Sequence, residues 1–428
     1  MQMKNASLRS RASQLATGQV QYDALVLDAG LRQSLVAVRS LGSRGVRVAA
    51  LETSGGVPAF SSRWCQHKLV CSADEGTKEY LTYLEQILDS TGAQVLITSS
   101  DGTVALIRQH RRQLEKRVRI ALAKEPALAI AVNKERTLAV AKGLGLDVPR
   151  GINVKAVSEV GAALREIGLP AVVKPMESWI WGEQHGARFL SQLVTTPDEA
   201  RCAVEELTSL GGMVLFQQFL SGRREAVNFL YASGQMHAHF AQWAKRTDPP
   251  LGGSSVLRQS IVIPPDIGKQ AERLVREIEL EGYSEVEFRR DSAGTAYLME
   301  INPRLSASVE LAVRAGVDFP YLLYQWVNGE SVSVVKSYHV GGWMRYLGGD
   351  VATTVAMLQQ RGRPGVTPPI QAVFDFCASF FIPMRYDYLD WKDPLPAWIA
   401  IVDFARRVAQ WVGRVLSNRK VWWWRGET

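Results

Sequence analysis

The feature that most constrains the fold is an alternation of strand-like and helix-like segments near the N-terminus. Residues 24–28, Ala-Leu-Val-Leu-Asp, form a short apolar run typical of a buried strand, and residues 34–41 have helical character and end at Gly42. A second strand pattern follows at residues 46–51. Strands joined by a helix lie parallel in one sheet, because antiparallel neighbours need only a short turn between them. The sequence therefore predicts a β-α-β unit.

The same alternation continues with a helix predicted at residues 80–88 and a strand at residues 95–98. We therefore expect residues 21–128 to form a small doubly wound α/β domain. The turn after the first strand, residues 28–33, lacks the three glycines of the G-x-G-x-x-G fingerprint. This argues against dinucleotide binding, since those glycines let the backbone approach the pyrophosphate.

The net charge indicates which ligands the protein could bind, and the spacing of the cysteines indicates their redox state. The 428 residues carry a formal net charge of +8, which suits a nucleotide, an acidic metabolite or an anionic membrane surface. The sequence has neither zinc-finger spacing nor an aromatic RNA-binding motif, so no nucleic-acid partner is expected. The four cysteines form no C-x-x-C pair and are expected to be reduced thiols.

The N-terminal segment gives no sign of secretion. Residues 1–20 are polar and basic, and we expect a disordered tail without the apolar region of a secretory signal. No apolar run reaches the length that a membrane span requires. The sequence therefore predicts a cytoplasmic protein.

A predicted β-hairpin at residues 284–302 carries the side chains most suited to chemistry. Residues 291–294, Asp-Ser-Ala-Gly, are typical of a four-residue turn between two strands. Such a turn places Arg290 opposite Thr295, and this pairing sets the register of the hairpin.

In this register Glu287 lies opposite Leu298 and diagonal to Glu300. Strand alternation then puts Glu287, Glu300 and Asn302 on one face. The other face is expected to be apolar and to carry Val286, Phe288, Tyr297, Met299 and Ile301.

The converging carboxylates predict a metal site. They would repel each other unless a cation lies between them, and Mg²⁺ takes hard oxygen ligands and completes its shell with phosphates. Arg304, two residues after Asn302, offers a fork of donors suited to a phosphoryl oxygen. The alternative is a solvated strand face with alternating charges.

Residues 300–308, Glu-Ile-Asn-Pro-Arg-Leu-Ser-Ala-Ser, resemble the metal-binding strand of the ATP-grasp superfamily, in particular carbamoyl-phosphate synthetase and related carboxylate–amine ligases. The resemblance implies that Glu287 is the first metal ligand, that Glu300 bridges two Mg²⁺ ions and that Asn302 completes the second site. It also implies that Arg304 is catalytic and stabilises the transferring phosphate.

Two lysines upstream extend the resemblance. Lys134, in Asn-Lys-Glu-Arg-Thr, matches the lysine that opens the family's ATP-binding region, and Lys174, in Pro-Ala-Val-Val-Lys-Pro, matches a second one at a strand end. The resemblance implies that both bind ATP phosphates and that Lys174 also takes part in catalysis. A lysine at a strand end is otherwise a solvated surface residue.

Residues 216–225 resemble the hinge between the two halves of the ATP-binding unit. The resemblance implies that backbone groups of Gln218 and Leu220 hold adenine and that the Gln217 side chain reaches the ribose or the adenine amine. Glu225 matches a position that supports the nucleotide site. An amphipathic strand that enters a glycine turn is the alternative interpretation.

Two loops complete the comparison. Residues 251–258 resemble the flexible loop beside the acceptor substrate, which makes Arg258 a candidate catalytic residue; a plain surface loop is the alternative. Residues 177–186 match the loop that covers the phosphates, but Trp179 and Trp181 replace small residues there. His185 is a candidate for phosphate contact.

The resemblance covers roughly residues 22–330 and implies an ATP-grasp fold, which is α/β overall and α+β in the lid. It implies an N-terminal α/β domain (21–128), a lid region (129–216) and a metal and catalytic region (217–335). Residues 336–428 remain as a C-terminal extension with an amphipathic helix.

The implied reaction is ATP-dependent ligation. A substrate carboxylate is activated as an acyl phosphate and joined to an amine, with ATP and Mg²⁺ as cofactors and Mn²⁺ as a substitute metal. The partners are then a small-molecule carboxylate and an amine. Carboxylation or carbamoyl-phosphate chemistry is one alternative. An ATP-binding regulator or a pseudoenzyme, suggested by the tryptophans in the lid loop, is another.

The C-terminal extension has a different composition. Apolar side chains recur at helical spacing from Trp398 to Leu416, and basic residues and Trp422, Trp423 and Trp424 follow. A helix packed on the body of the protein or on a partner is one interpretation. Peripheral membrane contact through residues 396–425, at the inner face of the membrane, is the other. The sequence leaves the oligomeric state open, including a homodimer.

Overall fold

The computed structural model describes residues 21–182 and 185–416, with side chains as far as Gln410. Its N-terminal domain is a five-stranded parallel sheet in the order β3-β2-β1-β4-β5. The strands are β1 (Ala24–Val26), β2 (Val48–Glu52), β3 (Cys65–Val70), β4 (Val95–Ile97) and β5 (Arg119–Ile120). The helices are α1 (Arg32–Gly42), α2 (Pro58–Ser61), α3 (Lys78–Thr91) and α4 (Asp101–Leu114). The predicted doubly wound α/β architecture is confirmed.

The sequence of β1 explains why this sheet is buried on both faces. Ala24 and Val26 pack into one hydrophobic core, and Leu25 and Leu27 pack into another on the opposite side. Such continuous apolar runs are typical of parallel strands covered by helices on both faces. The predicted basic tail, residues 1–20, lies outside the described residues.

A second, antiparallel sheet forms the lid, in the order β10-β7-β11-β6. Its strands are β6 (Gly151–Val154), β7 (Ala171–Pro175), β10 (Gln192–Val194) and β11 (Val214–Gln218). The helices α7 (Val160–Ile167) and α8 (Pro197–Leu207) cover one face, where they share a core with Val173 and Phe216. A separate two-stranded hairpin, β8 (Trp179–Trp181) and β9 (Gly186–Arg188), contacts helix α4 of the N-terminal domain.

The central sheet has seven strands in the order β16-β15-β12-β13-β14-β17-β18. Its long strands are β12 (Arg224–Ala232), β13 (Gln235–Asp248), β14 (Ser254–Ile261), β15 (Gly282–Arg290) and β16 (Ala296–Asn302). The helices around it are α5 (Ala127–Val132), α6 (Lys134–Gly143), α9 (Pro265–Glu277), α10 (Val309–Ala315) and α11 (Phe319–Val327). Helix α6 packs against β16, so Lys134 begins its helix beside the strand that carries Glu300.

The C-terminal extension is part of this sheet. It supplies β17 (Trp343–Arg345), which pairs with β14, and β18 (Arg385–Tyr386), which pairs with β17. Its helices are α12 (Leu347–Gln359), α13 (Pro369–Ala378) and α14 (Leu395–Leu416). The predicted boundary after residue 335 therefore does not separate two sheets, because strands from both sides of it pair with each other. None of the described helices combines the length and hydropathy needed to cross a bilayer.

A buried ion cluster holds the extension on the sheet. Asp350 of α12 is fully buried and accepts hydrogen bonds from Arg246 of β13, at 2.5 and 2.6 Å, and from Nε of Arg345, at 2.6 Å. The guanidinium of Arg345 also lies 4.5 Å from the ring centre of Phe376 and 4.2 Å from that of Phe380. One carboxylate thus compensates two buried cations that come from separate strands.

We expect D350N to lower the free energy of unfolding by about 3–5 kcal/mol, because it leaves two buried guanidinium groups without an anion. Urea unfolding followed by tryptophan fluorescence measures this. The control is D198N, which removes an exposed carboxylate paired with Arg201 at 2.7 Å and should change stability by less than about 0.5 kcal/mol. Equal stability of the two variants would contradict the role of the cluster.

Candidate functional site

A cavity of about 2040 Å³ lies where the N-terminal domain, the lid and the central sheet meet. The carboxyl ends of β1, β2 and β4 form one wall, the lid strands β7 and β11 another, and β12 to β16 the floor. Helices α12 and α14 of the extension close the remaining side. The cavity exceeds the roughly 300–1,000 Å³ of a single-ligand pocket, so it has room for a nucleotide and a second molecule.

The hairpin register differs from the predicted one. Glu287 lies directly opposite Glu300, and Arg290 lies opposite Ala296 rather than Thr295. The pairing shifts after Glu287, where Met299 is the additional residue on β16. The prediction that Glu287 faces Leu298 is therefore wrong for two reasons. Asp291 pairs with Thr295 through a 2.9 Å hydrogen bond, so the predicted four-residue turn is wrong and the register shifts by one residue there. The β-bulge at Met299 shifts it by one more.

The bulge also changes which side chains face the core. Leu298 is fully buried in the core, whereas Met299 lines the cavity. Tyr297 lies opposite Arg289, on the same face as Glu287. The assignment of Tyr297 and Met299 to the apolar face is therefore wrong. Glu287, Glu300 and Asn302 all line the cavity.

Arg224 is the cation beside Glu287. Its Nε and Nη2 donate to the two carboxylate oxygens at 2.8 and 2.5 Å, and Asn302 Nδ2 donates to Oε1 at 3.0 Å. Burial raises the pKa of Glu287 to about 7, and the charges of Glu300 and Glu285 add to this while Arg224 opposes it. The guanidinium of Arg224 therefore does not fully compensate the negative charges of Glu285, Glu287 and Glu300.

Lys134 and Lys174 stand beside Glu300. Lys134 Nζ lies 3.6 Å from Glu300 Oε2, and both lysine side chains are buried. Burial opposes ionisation of Glu300, but the two lysines hold its pKa below the usual value. Burial lowers the pKa of Lys174 to about 8, which the charge of Glu300 partly offsets. Two buried ammonium groups at one wall form a site for an anion.

The donor set suits a magnesium ion shared with a ligand. Among the described residues, no group of three or more His, Cys, Asp or Glu side chains is arranged to hold a metal by itself. Glu287, Glu300 and Asn302 offer hard oxygen donors, and Mg²⁺ is typically held by one or two carboxylates together with phosphate oxygens. The residues present therefore fit a metal–phosphate complex better than a free ion.

Arg304 is held by Asp101, a residue that the sequence prediction missed. Its Nε donates to Asp101 Oδ1 at 2.6 Å, and Arg188 Nε of β9 lies 3.4 Å from Oδ2. Burial opposes ionisation of Asp101, but Arg304 and Arg188 lower its pKa to about 2. Arg304 lines the cavity with its guanidinium paired to this carboxylate.

Of the predicted hinge residues, Gln218, Leu220 and Glu225 line the cavity, whereas Gln217 does not. Gln217 is fully buried, and neither polar atom of its amide has a hydrogen-bond partner among the residues that the structure describes. It shares a face of β11 with Leu215, which lies opposite Lys174. An unpaired buried amide costs free energy, so a ligand that satisfies it would bind favourably.

The remaining hinge positions line the cavity. The backbone N–H of Gln218 donates to the Arg150 carbonyl at 2.9 Å, so that donor is already engaged. Leu220 is buried beside it, and Glu225 pairs with Arg290 at 2.7 Å and with Arg223 at 3.0 Å. The backbone N–H of Gln218 is therefore not free to bind adenine in this structure.

The predicted position of Arg258 is wrong. Arg258 lies within β14 rather than in a loop, is fully buried, and donates to Asp387 at 2.9 and 2.7 Å. Asp387 lines the cavity and also accepts from Arg32 at 3.2 Å. Arg258 is buried within the sheet and does not line the cavity. It contacts the site only through its hydrogen bonds to Asp387. Residues 251–256 do line the cavity.

The lid tryptophans pack against the N-terminal domain. The Trp179 ring fills the space that a Cβ would need on Gly76, Gly102 and Gly186. Its Nε1 is buried without a partner in the described ranges, and Trp181 meets it edge-on, with ring centres 5.9 Å apart. His185 lines the cavity, and residues 183–184 lie outside the described residues. The indole thus contacts the opposing domain through glycines that leave it room.

Three charged residues of the site were missed from sequence. Asp101 follows β4, and the carboxyl ends of parallel strands are where α/β domains bind ligands, so the Ser-Ser-Asp sequence was a usable signal. Glu285 alternates with Glu287 and accepts from Asn228, Gln242 and Ser308 at 3.0, 3.0 and 2.9 Å. Arg224 could be found only from the pairing of β12 with β15.

Comparisons with known proteins agree with this geometry. Residues 213–345 match the family described as ATP-grasp in the biosynthetic pathway with Ter operon. The carbamoyl phosphate synthase large chain of Deinococcus deserti is 27% identical over 180 residues, which cover 40% of this chain and 17% of that protein. D-alanine–D-alanine ligase B of Chromobacterium violaceum is 28% identical over 215 residues, which cover 47% of this chain and 65% of that protein.

A solved structure shares the fold. The biotin carboxylase domain of the Hydrogenobacter thermophilus 2-oxoglutarate carboxylase, in complex with MgADP, ADP and bicarbonate, aligns with a TM-score of 0.60 at 16% identity. The alignment covers 76% of this chain and 73% of that one. The chain spans about a sixth of the length of the carbamoyl phosphate synthase large chains that it matches. The family match over residues 213–345 and the two relatives confirm the resemblance to ATP-grasp proteins inferred from residues 300–308.

Proposed function

We propose that the protein is an ATP-dependent carboxylate–amine ligase, which uses ATP and Mg²⁺ to join a small-molecule carboxylate to an amine. The observation that carries the proposal is the convergence of Lys134 and Lys174 on Glu300 at one wall of a large cavity. Buried cations beside metal-type oxygen donors suit a triphosphate with its metal. A neighbour of the same fold, the biotin carboxylase domain, binds MgADP.

The predicted site residues have distinct parts in the proposed reaction. Lys134 and Lys174 bind the phosphates, and Gln217 and the hinge backbone hold adenine. Glu287, Glu300 and Asn302 would hold Mg²⁺, which neutralises charge on the transferring phosphate when bound. Arg304 turns from Asp101 to the phosphoryl oxygens, where charge develops. The lid hairpin, packed on the N-terminal domain through Trp179, excludes the water that would hydrolyse an acyl phosphate.

The alternatives differ in what ADP release requires. Sustained ADP release by a ligase requires both a carboxylate and an amine, because the acyl phosphate must be consumed before another ATP reacts. Carboxylation or carbamoyl-phosphate chemistry requires bicarbonate, and a regulator or pseudoenzyme binds ATP without turnover. An ADP-release screen over paired carboxylates and amines, with and without bicarbonate, separates the three. Manganese as a substitute metal is tested in the same assay.

We expect E300Q to lower ADP release by about a hundredfold or more, because it removes one charged metal donor and the partner of both lysines. It should also reduce the strengthening of ADP binding by Mg²⁺, measured by calorimetry. The control is E272Q, which alters an exposed carboxylate paired with Arg276 at 2.8 Å and should behave as the parent. Full activity of E300Q would exclude the proposed site.

The affinity for ATP should fall as pH rises through about 8, because Lys174, whose pKa is lowered to about 8 by burial, then loses its proton and its charge. The expected loss is up to about tenfold per pH unit above that pKa. In K174R the guanidinium stays charged, so its binding profile should be flat above pH 8. Calorimetric titration of both proteins with ATP measures this, and parallel profiles would contradict the assignment.

We further propose that the C-terminal extension contacts an anionic lipid surface, as a peripheral protein at the inner face of the membrane. Large apolar side chains project from α13, α14 and the connection between them: Ile370, Phe374 and Phe381 are 87%, 69% and 88% exposed, and Trp391 and Trp398 are 87% and 63% exposed. Indoles next to cations suit headgroup regions. Trp422, Trp423 and Trp424 lie outside the described residues. That the protein forms a homodimer remains a prediction from the sequence.

The F381S/W391S/W398S variant should lose binding to vesicles of phosphatidylcholine and phosphatidylglycerol, measured by co-sedimentation, because it removes exposed apolar area without opening the core. Its melting temperature and ADP binding should stay unchanged. The control is V262S, which removes another exposed apolar side chain, 70% exposed, from the β14–α9 connection. Failure of the parent to sediment with these vesicles would exclude lipid contact and leave a protein partner for this face.

A further inference from the structure

A second charged region lies at the N-terminal wall of the cavity, opposite in sign to the lysine wall. Asp28 follows β1, Glu52 ends β2, and Glu75 precedes α3, and all three line the cavity. None of them forms an ion pair with another described residue, whereas Asp101 nearby is paired with Arg304 and Arg188. The three carboxylates therefore have no ion-pair partner within 4 Å among these residues, and the nearest cationic influence is that of Arg188, whose pKa the charge of Glu75 raises against the effect of burial.

Local hydrogen bonds fix the orientation of these carboxylates. Asp28 Oδ2 accepts from the backbone N–H of Ser99 at 2.7 Å and of Ser100 at 2.9 Å, and Glu75 Oε2 accepts from Ser100 Oγ at 2.8 Å. Glu52 Oε2 accepts from the backbone N–H of Gly30 at 2.6 Å. Neutral donors hold the groups in place but do not cancel their charge.

The proximity of these carboxyl groups shows in their pKa values, and Glu75 is largely protonated at neutral pH unless a cation binds beside it. Burial raises the pKa of Glu75 to about 8, and the charges of Asp28 and Glu52 add to the effect. Burial also raises the pKa of Tyr80 well above its usual value, and again the charges of Asp28, Glu75 and Glu52 contribute. The three carboxylates therefore act on a common region of the cavity wall.

Two unsatisfied polar groups border the same region. Ser99, next to Asp28, is fully buried, lines the cavity, and its hydroxyl has no hydrogen-bond partner among the residues described. The indole of Trp179 also lines the cavity, and its ring and Glu75 Oε1 both fill the space that a Cβ on Gly102 would need. A carboxylate beside an indole, with a free hydroxyl acceptor, is the environment that binds organic ammonium groups.

We propose that Asp28, Glu52 and Glu75, with Ser99 and Trp179, bind the ammonium group of a cationic organic substrate. The region adjoins the reaction site, because Ser100 contacts Glu75 and the next residue, Asp101, contacts Arg304. An ammonium held there lies beside the phosphoryl-transfer wall. The ammonium belongs either to the amine substrate, which must give a proton to one of these carboxylates before its nitrogen can attack, or to an amino acid whose carboxylate is activated. This inference rests on the proposed ligase function for its reaction but not for binding.

Binding is tested without turnover. 1,3-Diaminopropane, titrated by calorimetry into the protein with Mg²⁺ and ADP present, should bind the parent about tenfold or more tightly than E75Q, and 1,3-propanediol should not bind. E75Q keeps an acceptor for Ser100, so its melting temperature should not change. D198N, which removes an exposed charge of the same sign, should bind as the parent does.

A second variant, S99A, tests the same site in case E75Q does not fold. S99A removes a buried hydroxyl that has no described partner, so stability should be kept while diamine affinity falls severalfold. Equal diamine binding by the parent, E75Q and S99A would overturn the proposal, as would equal binding of the neutral diol.

The source of the ammonium is resolved by kinetics with the substrates that the ADP-release screen identifies. If the group belongs to the attacking amine, E75Q raises KM for that amine alone, and hydroxylamine, mostly uncharged at neutral pH, reacts equally with both proteins. If it belongs to an amino acid, KM for that acid rises in the hydroxylamine assay too. Screening without any ADP release would contradict the ligase proposal, while the diamine titration would still decide the ammonium site.

Discussion

Two carboxylates on neighbouring strands, Glu287 and Glu300, lie directly opposite each other, and the rest of the site depends on how their charges are compensated. Like charges in this position destabilise a sheet unless cations lie beside them. Arg224 from β12 pairs with one carboxylate, and Lys134 and Lys174 from two further segments stand beside the other. The site therefore assembles only when the lid, α6 and the central sheet come together.

The same requirement explains why the cavity has walls of opposite sign. Lysines and arginines gather where a triphosphate and its metal are proposed to bind, whereas Asp28, Glu52 and Glu75 gather at the carboxyl ends of the N-terminal strands. Asp101 stands between the two regions and is neutralised by Arg304 and Arg188. A cavity of this kind can bind an anionic and a cationic ligand side by side, because each ligand is attracted to a different wall.

The C-terminal extension belongs to this arrangement rather than lying apart from it. Asp350 compensates Arg246 and Arg345, and Asp387 compensates Arg32 and Arg258, so carboxylates from the extension hold arginines of the N-terminal domain and the central sheet. Composition alone suggested a separate segment, because aromatic and Pro-rich stretches do not reveal short strands such as β17 and β18. Their pairing depends on partners far away in sequence.

The sequence by itself determined the β-α-β start, the hairpin and the residue types of the site: Glu287, Glu300, Asn302, Lys134 and Lys174 all line one cavity, as expected from strand alternation and local motifs. Only the tertiary structure decided the register, because a bulge at Met299 leaves no mark in the composition of β16. It also decided that Arg258 is buried, that Arg224 and Asp101 hold the reactive groups, and that three unpaired carboxylates share a wall. Periodicity is a local property of the chain, whereas charge compensation depends on which distant segments fold against one another.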